Sequence, residues 1–203
     1  MKLARPAVAA VFLVALVMAA VRQPGVPPAP PQQELTHFDG VIDYSQQTHD
    51  PVLADLYGRA ARALEAGDAA AAEALYREAT AKYPSDPDGY NALGTCLSFQ
   101  RRYDEARGEY NRALQLDPGS RDALYGLGCV AYDQRQYDEA VGHLEAVLAK
   151  HPSDADAHRV LGLTYDALDN RPKAREHYQR ATELNPTFAQ EKHIRERLEA
   201  LKP

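Results

Sequence analysis

The sequence has little of what catalytic and metal-binding domains rely on. Its 203 residues include no tryptophan, two cysteines and two methionines, and tyrosine outnumbers phenylalanine by 12 to 4. It also lacks an HExxH motif, a clustered Cys/His pattern, a Walker loop, a dinucleotide-binding fingerprint and a G-x-S-x-G turn. We therefore expect the chain not to be an enzyme and to hold no metal or cofactor.

Positive charge is also scarce in most of the chain. The net charge is −6, but the first 33 residues hold three cations and no acid, so the remainder carries 20 basic against 29 acidic side chains. A domain this acidic repels a phosphate backbone, and no Lys/Arg stripe with interleaved aromatics offsets that repulsion. We expect no nucleic-acid binding.

The N-terminus holds a long apolar run, Ala7 to Val21, which follows two cations. As a helix this run spans about 22 Å, which is short of a hydrocarbon core of about 30 Å. Residues 1–21 therefore fit a signal peptide cleaved near Ala19. They also fit a signal anchor, if the helix extends back to Leu3 and Arg5 reaches the interface. Both alternatives predict an exported chain, periplasmic or otherwise extracytoplasmic, that meets the membrane only through this segment.

Two further segments precede the regular part of the chain. Residues 22–33, RQPGVPPAPPQQ, are rich in proline and predict an extended linker. Residues 34–52 show no helical or strand period, so we expect them to be irregular.

The rest of the chain repeats with a period of 34 residues. Four prolines share this spacing: Pro84, Pro118, Pro152 and Pro186. Three glycines share it as well: Gly94, Gly128 and Gly162. Four alanines do the same: Ala72, Ala106, Ala140 and Ala174. Between these markers apolar residues recur at helical spacing. The pattern indicates an all-α array in which each unit is a helix-turn-helix.

Proline, cap residues and small residues set the boundaries and the packing of these helices. Pro118 and its equivalents end the second helix of each unit, because proline inside a helix costs about 3 kcal/mol. New helices begin after N-cap acceptors: Asp50, Asp86, Ser120 and Asp154. Gly94 and Ala106 leave no bulk between the two helices of one unit, so we expect their backbones to approach closely.

The stretch from Tyr90 to Ser120, YNALGTCLSFQRRYDEARGEYNRALQLDPGS, resembles a tetratricopeptide repeat almost position for position. On this resemblance, residues 53–86, 87–120, 121–154 and 155–188 are four repeats of a right-handed α-solenoid. Residues 189–203 then form a C-terminal capping helix. Arg59 and Ala60 replace the Leu-Gly pair in repeat 1, as expected for a terminal repeat.

Arrays of this family usually bind an extended peptide or a partner helix in a concave groove lined by the first helices. The resemblance implies ten partner-binding residues: Tyr57, Asn91, Thr95, Phe99, Tyr125, Cys129, Tyr132, Asp133, Arg159 and Asp166. The family's groove positions also include Asp88, Asp122 and Asp156, whose acidity favours a ligand with some positive charge. The Lys/Asn clamp by which one groove type binds a C-terminal carboxylate is not matched here.

The positions of the cysteines and histidines complete the expectations. Cys96 is assigned to the core and Cys129 to the groove, so we expect two free thiols, the second partly exposed, although export would permit a disulfide. His143 and His177 occupy equivalent positions on second helices and are predicted to face solvent. His158 takes a packing position.

The sequence thus predicts a non-catalytic module that binds a protein partner. The alternative is a self-associating scaffold, a homo-oligomer that assembles through the ends of the array, with Arg59 docking on a second copy. A catalytic site in residues 34–49 would have to use His37, Asp39, Asp43 and His49 without a scaffold to position them.

Overall fold

A computed structural model describes residues 44–201, and the predicted signal or anchor, the linker and residues 34–43 lie outside this range. The described residues form nine α-helices and two short 3-10 helices, Tyr44–Gln46 and Pro186–Gln190. The α-helices are α1 (Pro51–Glu65), α2 (Ala69–Lys82), α3 (Pro87–Phe99), α4 (Tyr103–Leu116), α5 (Arg121–Asp133), α6 (Tyr137–Lys150), α7 (Ala155–Ala167), α8 (Arg171–Leu184) and α9 (Lys192–Ala200).

The helices stack in chain order. Each packs on the one before it, and the first helices of neighbouring repeats also touch, α3 on α5 and α5 on α7. This arrangement confirms the predicted α-solenoid of four helix-turn-helix repeats. Across the described residues, no helix has both the length and the apolar character that a membrane span requires.

The helix boundaries follow the predicted caps. All four N-cap side chains accept a hydrogen bond from an amide in the first turn of their helix. Asp50, for example, accepts from Val52 at 2.8 Å, and Asp154 accepts from Ala157 at 2.8 Å. Each second helix ends two residues before the repeating proline. Local side-chain chemistry is therefore sufficient to set where these helices start and stop.

The turn inside each repeat passes through a residue in the left-handed region. The four residues share the 34-residue spacing: Gly67 (φ 79°), Arg101 (φ 59°), Arg135 (φ 62°) and Asp169 (φ 55°). Only glycine adopts this conformation without a Cβ penalty, so the other three turns each carry strain of about 1 kcal/mol. Only repeat 1 has a glycine at this position and the others have arginine or aspartate, so the residue types do not indicate the left-handed conformation.

Within a repeat, the two helices meet where a large side chain of the second faces a glycine of the first. Three pairs show this: Gly94 with Tyr110, Gly128 with Leu144, and Gly162 with Tyr178. A Cβ on Gly94 would lie 2.8 Å from the Tyr110 ring, far inside normal carbon contact distance. The space that Gly94 leaves is filled by the Tyr110 ring, one turn beyond Ala106 on α4; the close approach of the two backbones at Gly94 and Ala106 stays a prediction.

Tyr110 also joins repeat 2 to repeat 3. A Cβ on Gly126 of α5 would lie 2.3 Å from Tyr110 Cζ. The ring has no exposed surface, and its hydroxyl lies 3.1 Å from Thr95 Oγ1. Glycines of two successive first helices thus enclose a single aromatic ring.

The two ends of the array differ. At the C-terminal end α9 packs on α8 and on the 3-10 helix before it, burying Ile194 and Leu201 as a capping helix should. At the N-terminal end Arg59 is exposed and pairs with Asp55 on the same helix at 3.2 Å. Self-association through this end stays a prediction.

Both cysteines are free and buried. Cys96 lies in the core as predicted, but Cys129 is 4% exposed, so the expectation of a partly exposed thiol is wrong. Tyr125, one turn earlier on α5, hydrogen-bonds the Cys129 thiol, and both residues join the core cluster shared with repeat 4. Burial raises the pKa of Cys129 to about 12 and that of Cys96 to about 11, so neither thiol is reactive near neutral pH.

His177 also departs from the expectation of a solvent-facing side chain. It is partly buried, its Nδ1 lies 3.0 Å from Nδ1 of His158, and its ring stacks on Tyr165 with 5.4 Å between ring centres. His158 and Tyr165 of α7 flank the ring, and burial followed by the neighbouring His158 lowers the pKa of His177. His143, the equivalent residue of repeat 3, remains partly exposed near Glu139.

The glycine contacts lead to a stability prediction. Gly126→Ala places a methyl group against the enclosed Tyr110 ring, so we expect it to lower the free energy of unfolding by about 1–3 kcal/mol. The matched control is Gly142→Ala on α6, where an added Cβ has nothing within 4 Å and should stabilise the helix by about 0.5–1 kcal/mol. Urea unfolding followed by circular dichroism measures both changes. Equal stability of the two variants would contradict the packing described here.

Candidate protein-interaction site

The ten residues predicted to bind a partner lie on the first helices, but most of their side chains are buried within the chain. Eight are at most 9% exposed: Tyr57, Asn91, Thr95, Tyr125, Cys129, Tyr132, Arg159 and Asp166. Phe99 and Asp133 are partly buried. The free chain therefore presents little of the predicted set to a ligand.

Two of the buried residues connect one repeat to the next. Each hydrogen-bonds a residue that lies the same number of positions further along the sequence. The Tyr57 hydroxyl donates to Asp86, and the Asn91 side-chain amide donates to Ser120 Oγ at 3.0 Å. In both cases the partner lies 29 residues ahead and is the N-cap of the next first helix. Each of these two side chains therefore binds the residue that caps the first helix of the next repeat.

Arg159 reaches equally far along the sequence at the end of the array, where its partner lies in the 3-10 helix before α9. Its guanidinium carbon lies 5.2 Å from the centre of the Phe188 ring, again 29 residues ahead. Tyr125 is covered differently, because the guanidinium carbon of Arg121 lies 4.6 Å from the centre of its ring. In both contacts another residue of the chain already covers the guanidinium or ring face that a partner would use.

Other predicted residues also pair inside the fold: Thr95 with the hydroxyl of Tyr110, Tyr132 with the ring of Tyr137, and Asp166 with Arg197 of α9. The ion pair of Asp166 is nearly inaccessible, with 2% and 6% of the two side chains exposed. A ligand that engaged Asp166 would have to leave the Arg197 charge buried and unpaired, which is costly.

The two partly exposed members lie at the turn ends of their helices. Phe99 lines an apolar pocket of about 300 Å³ with Leu64, Gly67 and Ala69. Asp133 is partly desolvated, and burial raises its pKa to about 6. The structure thus does not bring Phe99 and Asp133 together with the buried set into one open site.

The opposite ends of the first helices carry a repeated carboxylate, which we name the acidic edge: Asp88, Asp122 and Asp156. Each is the second residue of its helix, where the helix dipole favours negative charge. Arg121 lies 3.2 Å from Asp122 and 3.3 Å from Asp156. Among residues 44–201 the structure gives Asp88 no cationic partner.

Asp88 is consequently the least compensated carboxylate of the acidic edge. Burial, followed by the charges of Asp86 and Asp122, raises its pKa to about 6. An open cleft of about 640 Å³ borders it, lined by the start of α1, Lys82 at the end of α2, the turn between α2 and α3, and residues 47–49. The arrangement can accept a cationic group beside Asp88 with little rearrangement.

The 3-10 helix at the N-terminal end of the described chain lies on this same face. Tyr44 is 2% exposed, its hydroxyl donates to Asp122 Oδ2 at 3.0 Å, and its ring centre lies 5.8 Å from that of Tyr57. Sequence reasoning missed Tyr44 because its segment has no period. The available signal was a lone aromatic residue in the polar stretch DYSQQTH just before the array.

Comparison with known proteins settles the family. A family model for the tetratricopeptide repeat (TPR) matches residues 57–121 and 125–187. The chain is a tetratricopeptide-repeat protein. TPR domains are protein-interaction modules and are generally non-catalytic. A sequence search of curated proteins gives no match.

Solved TPR structures are similar over about three quarters of the chain. MamA from Desulfovibrio magneticus RS-1 is 26% identical, covers 76% of this chain and 91% of its own, and has a TM-score of 0.62. YrrB, described as having an unusual peptide-binding site, is 24% identical, covers 73% of each chain and has a TM-score of 0.58. PilF from Pseudomonas aeruginosa is 20% identical, covers 74% and 75%, and has a TM-score of 0.63.

The acidic edge leads to a pH-dependent prediction. The pKa of Asp88 is raised in the folded chain, so its charged form opposes folding above about pH 6, and this cost vanishes below the unfolded pKa of about 4. Asp88→Asn should therefore raise the free energy of unfolding at pH 7.5 by about 1 kcal/mol, allowing for solvent screening. The gain should disappear at pH 4.

Chemical denaturation at the two pH values measures this difference. Asp156→Asn is the matched control, because Asp156 lies beside Arg121 and its side chain is 43% exposed. The interpretation fails if both variants shift the free energy of unfolding equally at pH 7.5.

Proposed function

We propose that this TPR protein is a non-catalytic interaction module that binds an extended, cationic segment of a protein partner along the acidic edge. The observation that carries the proposal is the repetition of one carboxylate per first helix over three successive repeats, of which Asp122 and Asp156 lie beside Arg121 and Asp88 lies beside other carboxylates. Membership of an interaction family supports it, and so does exposure, because most other candidate groove residues are buried whereas the side chains of Asp122 and Asp156 are 28% and 43% exposed.

The spacing of the acidic edge favours an extended peptide. Neighbouring packed helices lie about 8–10 Å apart, and an extended chain advances about 3.3 Å per residue. A lysine or arginine at every third residue would therefore come level with the starts of the three helices in turn, and the first and third cations would meet Asp88 and Asp156.

The charges around Asp88 favour the binding of a cation. Asp88 is partly desolvated beside Asp86 and Asp122, so a cation brought next to it relieves repulsion as well as adding attraction. Charge complementarity of this kind also raises association rates and makes binding weaken with salt.

A peptide titration tests the proposal. A fluorescent peptide with lysine at positions 1, 4 and 7 should bind the full chain, and the Asp88→Asn/Asp156→Asn variant should bind it at least about tenfold more weakly. Anisotropy at 50 and 200 mM salt measures affinity and its salt dependence. A peptide with lysine at positions 1, 3 and 5 tests the spacing.

The matched control for this titration is Asp104→Asn/Asp138→Asn. These aspartates are also the second residues of their helices, α4 and α6, and both are exposed, so the control removes the same charge from another face. Equal losses of affinity in the two double variants would show that net charge, not the acidic edge, governs binding.

We also propose that the module works outside the cytoplasm, exported or tethered through residues 1–21, because the cations Lys2 and Arg5 precede an apolar run. A fusion of residues 1–43 to alkaline phosphatase should give active enzyme in a bacterial host, since this reporter requires an oxidising compartment. Replacing Leu13 and Leu16 by Asp should abolish that activity, and an inactive unmodified fusion would rule out export.

A further inference from the structure

We propose that the pocket enclosing Tyr44 is a tyrosine-selective subsite of the partner-binding face, and that the chain's own segment 44–49 occupies it until a partner's tyrosine displaces Tyr44. This inference rests on the proposed function, because the subsite includes Asp122 of the acidic edge. It adds the identity of one partner residue and a mechanism that controls access.

The contacts of Tyr44 cross the face that the first helices form. Its ring lies beside Tyr57 on α1, the neighbouring Ser45 lies against Gly58, and its hydroxyl reaches Asp122 on α5, 78 residues away in sequence. Tyr44 belongs to none of the four repeats, yet it contacts the first helices of repeats 1 and 3. The segment therefore lies where an extended peptide ligand would lie.

Tyr44 is the main anchor of this segment, while Ser45 lies against Gly58 and the Thr48 hydroxyl accepts from the Asp50 amide. Tyr44 is the only fully buried residue between positions 44 and 49, and Gln46, Gln47 and His49 are exposed. The other side chains of the segment add few buried contacts, so the segment opens as a unit once Tyr44 leaves its pocket. The structure thus combines an enclosed pocket with an occupant that lies outside the repeats and depends mainly on Tyr44.

The chemistry of the pocket selects an uncharged phenol. Asp122 Oδ2 accepts the hydroxyl proton at 3.0 Å, and a phenylalanine would lose this bond and leave the partly buried carboxylate with Arg121 as its partner. A phosphotyrosine would bring negative charge next to Asp88 and Asp122, which repel it. We therefore expect preference for tyrosine over both phenylalanine and phosphotyrosine.

Occupation within the chain lowers the apparent affinity for any outside ligand by the fraction of open molecules. If Tyr44 fills the pocket about nine-tenths of the time, a variant without it binds about tenfold more tightly. A gain in affinity on removing the Tyr44 side chain is the result that distinguishes control of access by Tyr44 from a merely structural role.

The test uses the full chain and a fluorescent peptide with the sequence of residues 41–49, VIDYSQQTH. We expect Tyr44→Ala protein to bind this peptide about tenfold more tightly than wild type. The Tyr44→Phe host keeps the ring and should show a smaller gain. Gln47→Ala, at an exposed position of the same segment, should bind as wild type does.

Three altered peptides test selectivity on the Tyr44→Ala host. Peptides in which the tyrosine is replaced by phenylalanine or is phosphorylated should bind at least several-fold more weakly. A peptide with lysine in its place should also bind more weakly, and equal binding would show that the pocket selects charge, which overturns the proposal.

Two other results overturn it as well. One is equal peptide affinity of wild type and the Tyr44→Ala and Tyr44→Phe hosts, with circular dichroism confirming that all three are folded. The other is a wild-type dimer in sedimentation that becomes a monomer in Tyr44→Ala, since the pocket would then be filled by a second copy. The titration with the lysine peptide tests the acidic edge independently of Tyr44. Either of the two results would therefore overturn the Tyr44 subsite and leave the proposed function standing.

Discussion

The insertion of a bulky second-helix side chain against the bare backbone of a first-helix glycine sets the packing of the two helices in repeats 2, 3 and 4. Tyr110 does this twice, against Gly94 in its own repeat and against Gly126 in the next. Because no Cβ intervenes, the ring fixes both the distance within a hairpin and the distance between hairpins. The positions of the acidic edge and of the Tyr44 pocket follow from that fixed stacking.

The fold could be predicted because its signals are local and repeated. An N-cap carboxylate, a helix-ending proline and an obligatory small residue each act over a few residues, and four periods put them in one register. The left-handed turns at Arg101 and Arg135 could not be predicted in the same way. Their conformation is imposed by the helices on both sides, and these side chains do not signal it.

The candidate site was harder to predict, for a physical reason. Equivalence to family positions identifies the helix and its face, but exposure depends on what packs against that face. Asn91 and Arg159 lie on the expected helices and are nevertheless buried, because each reaches the element that begins the following unit. Tyr44 could not be predicted, because a single anchoring side chain outside the repeats gives no periodic pattern. Asp88, Asp122 and Asp156, in contrast, recur at the period of the repeat and could be identified.

The contacts that reach 29 residues forward have a consequence for the order of the repeats. At the first junction a phenol meets a carboxylate, at the second an amide meets a hydroxyl, and at the last a guanidinium meets an aromatic ring. Each pairing requires both of its halves, so a repeat moved to another place would meet a mismatched neighbour. The four units share one backbone fold but are not interchangeable, because the pairings at their junctions require a fixed linear order.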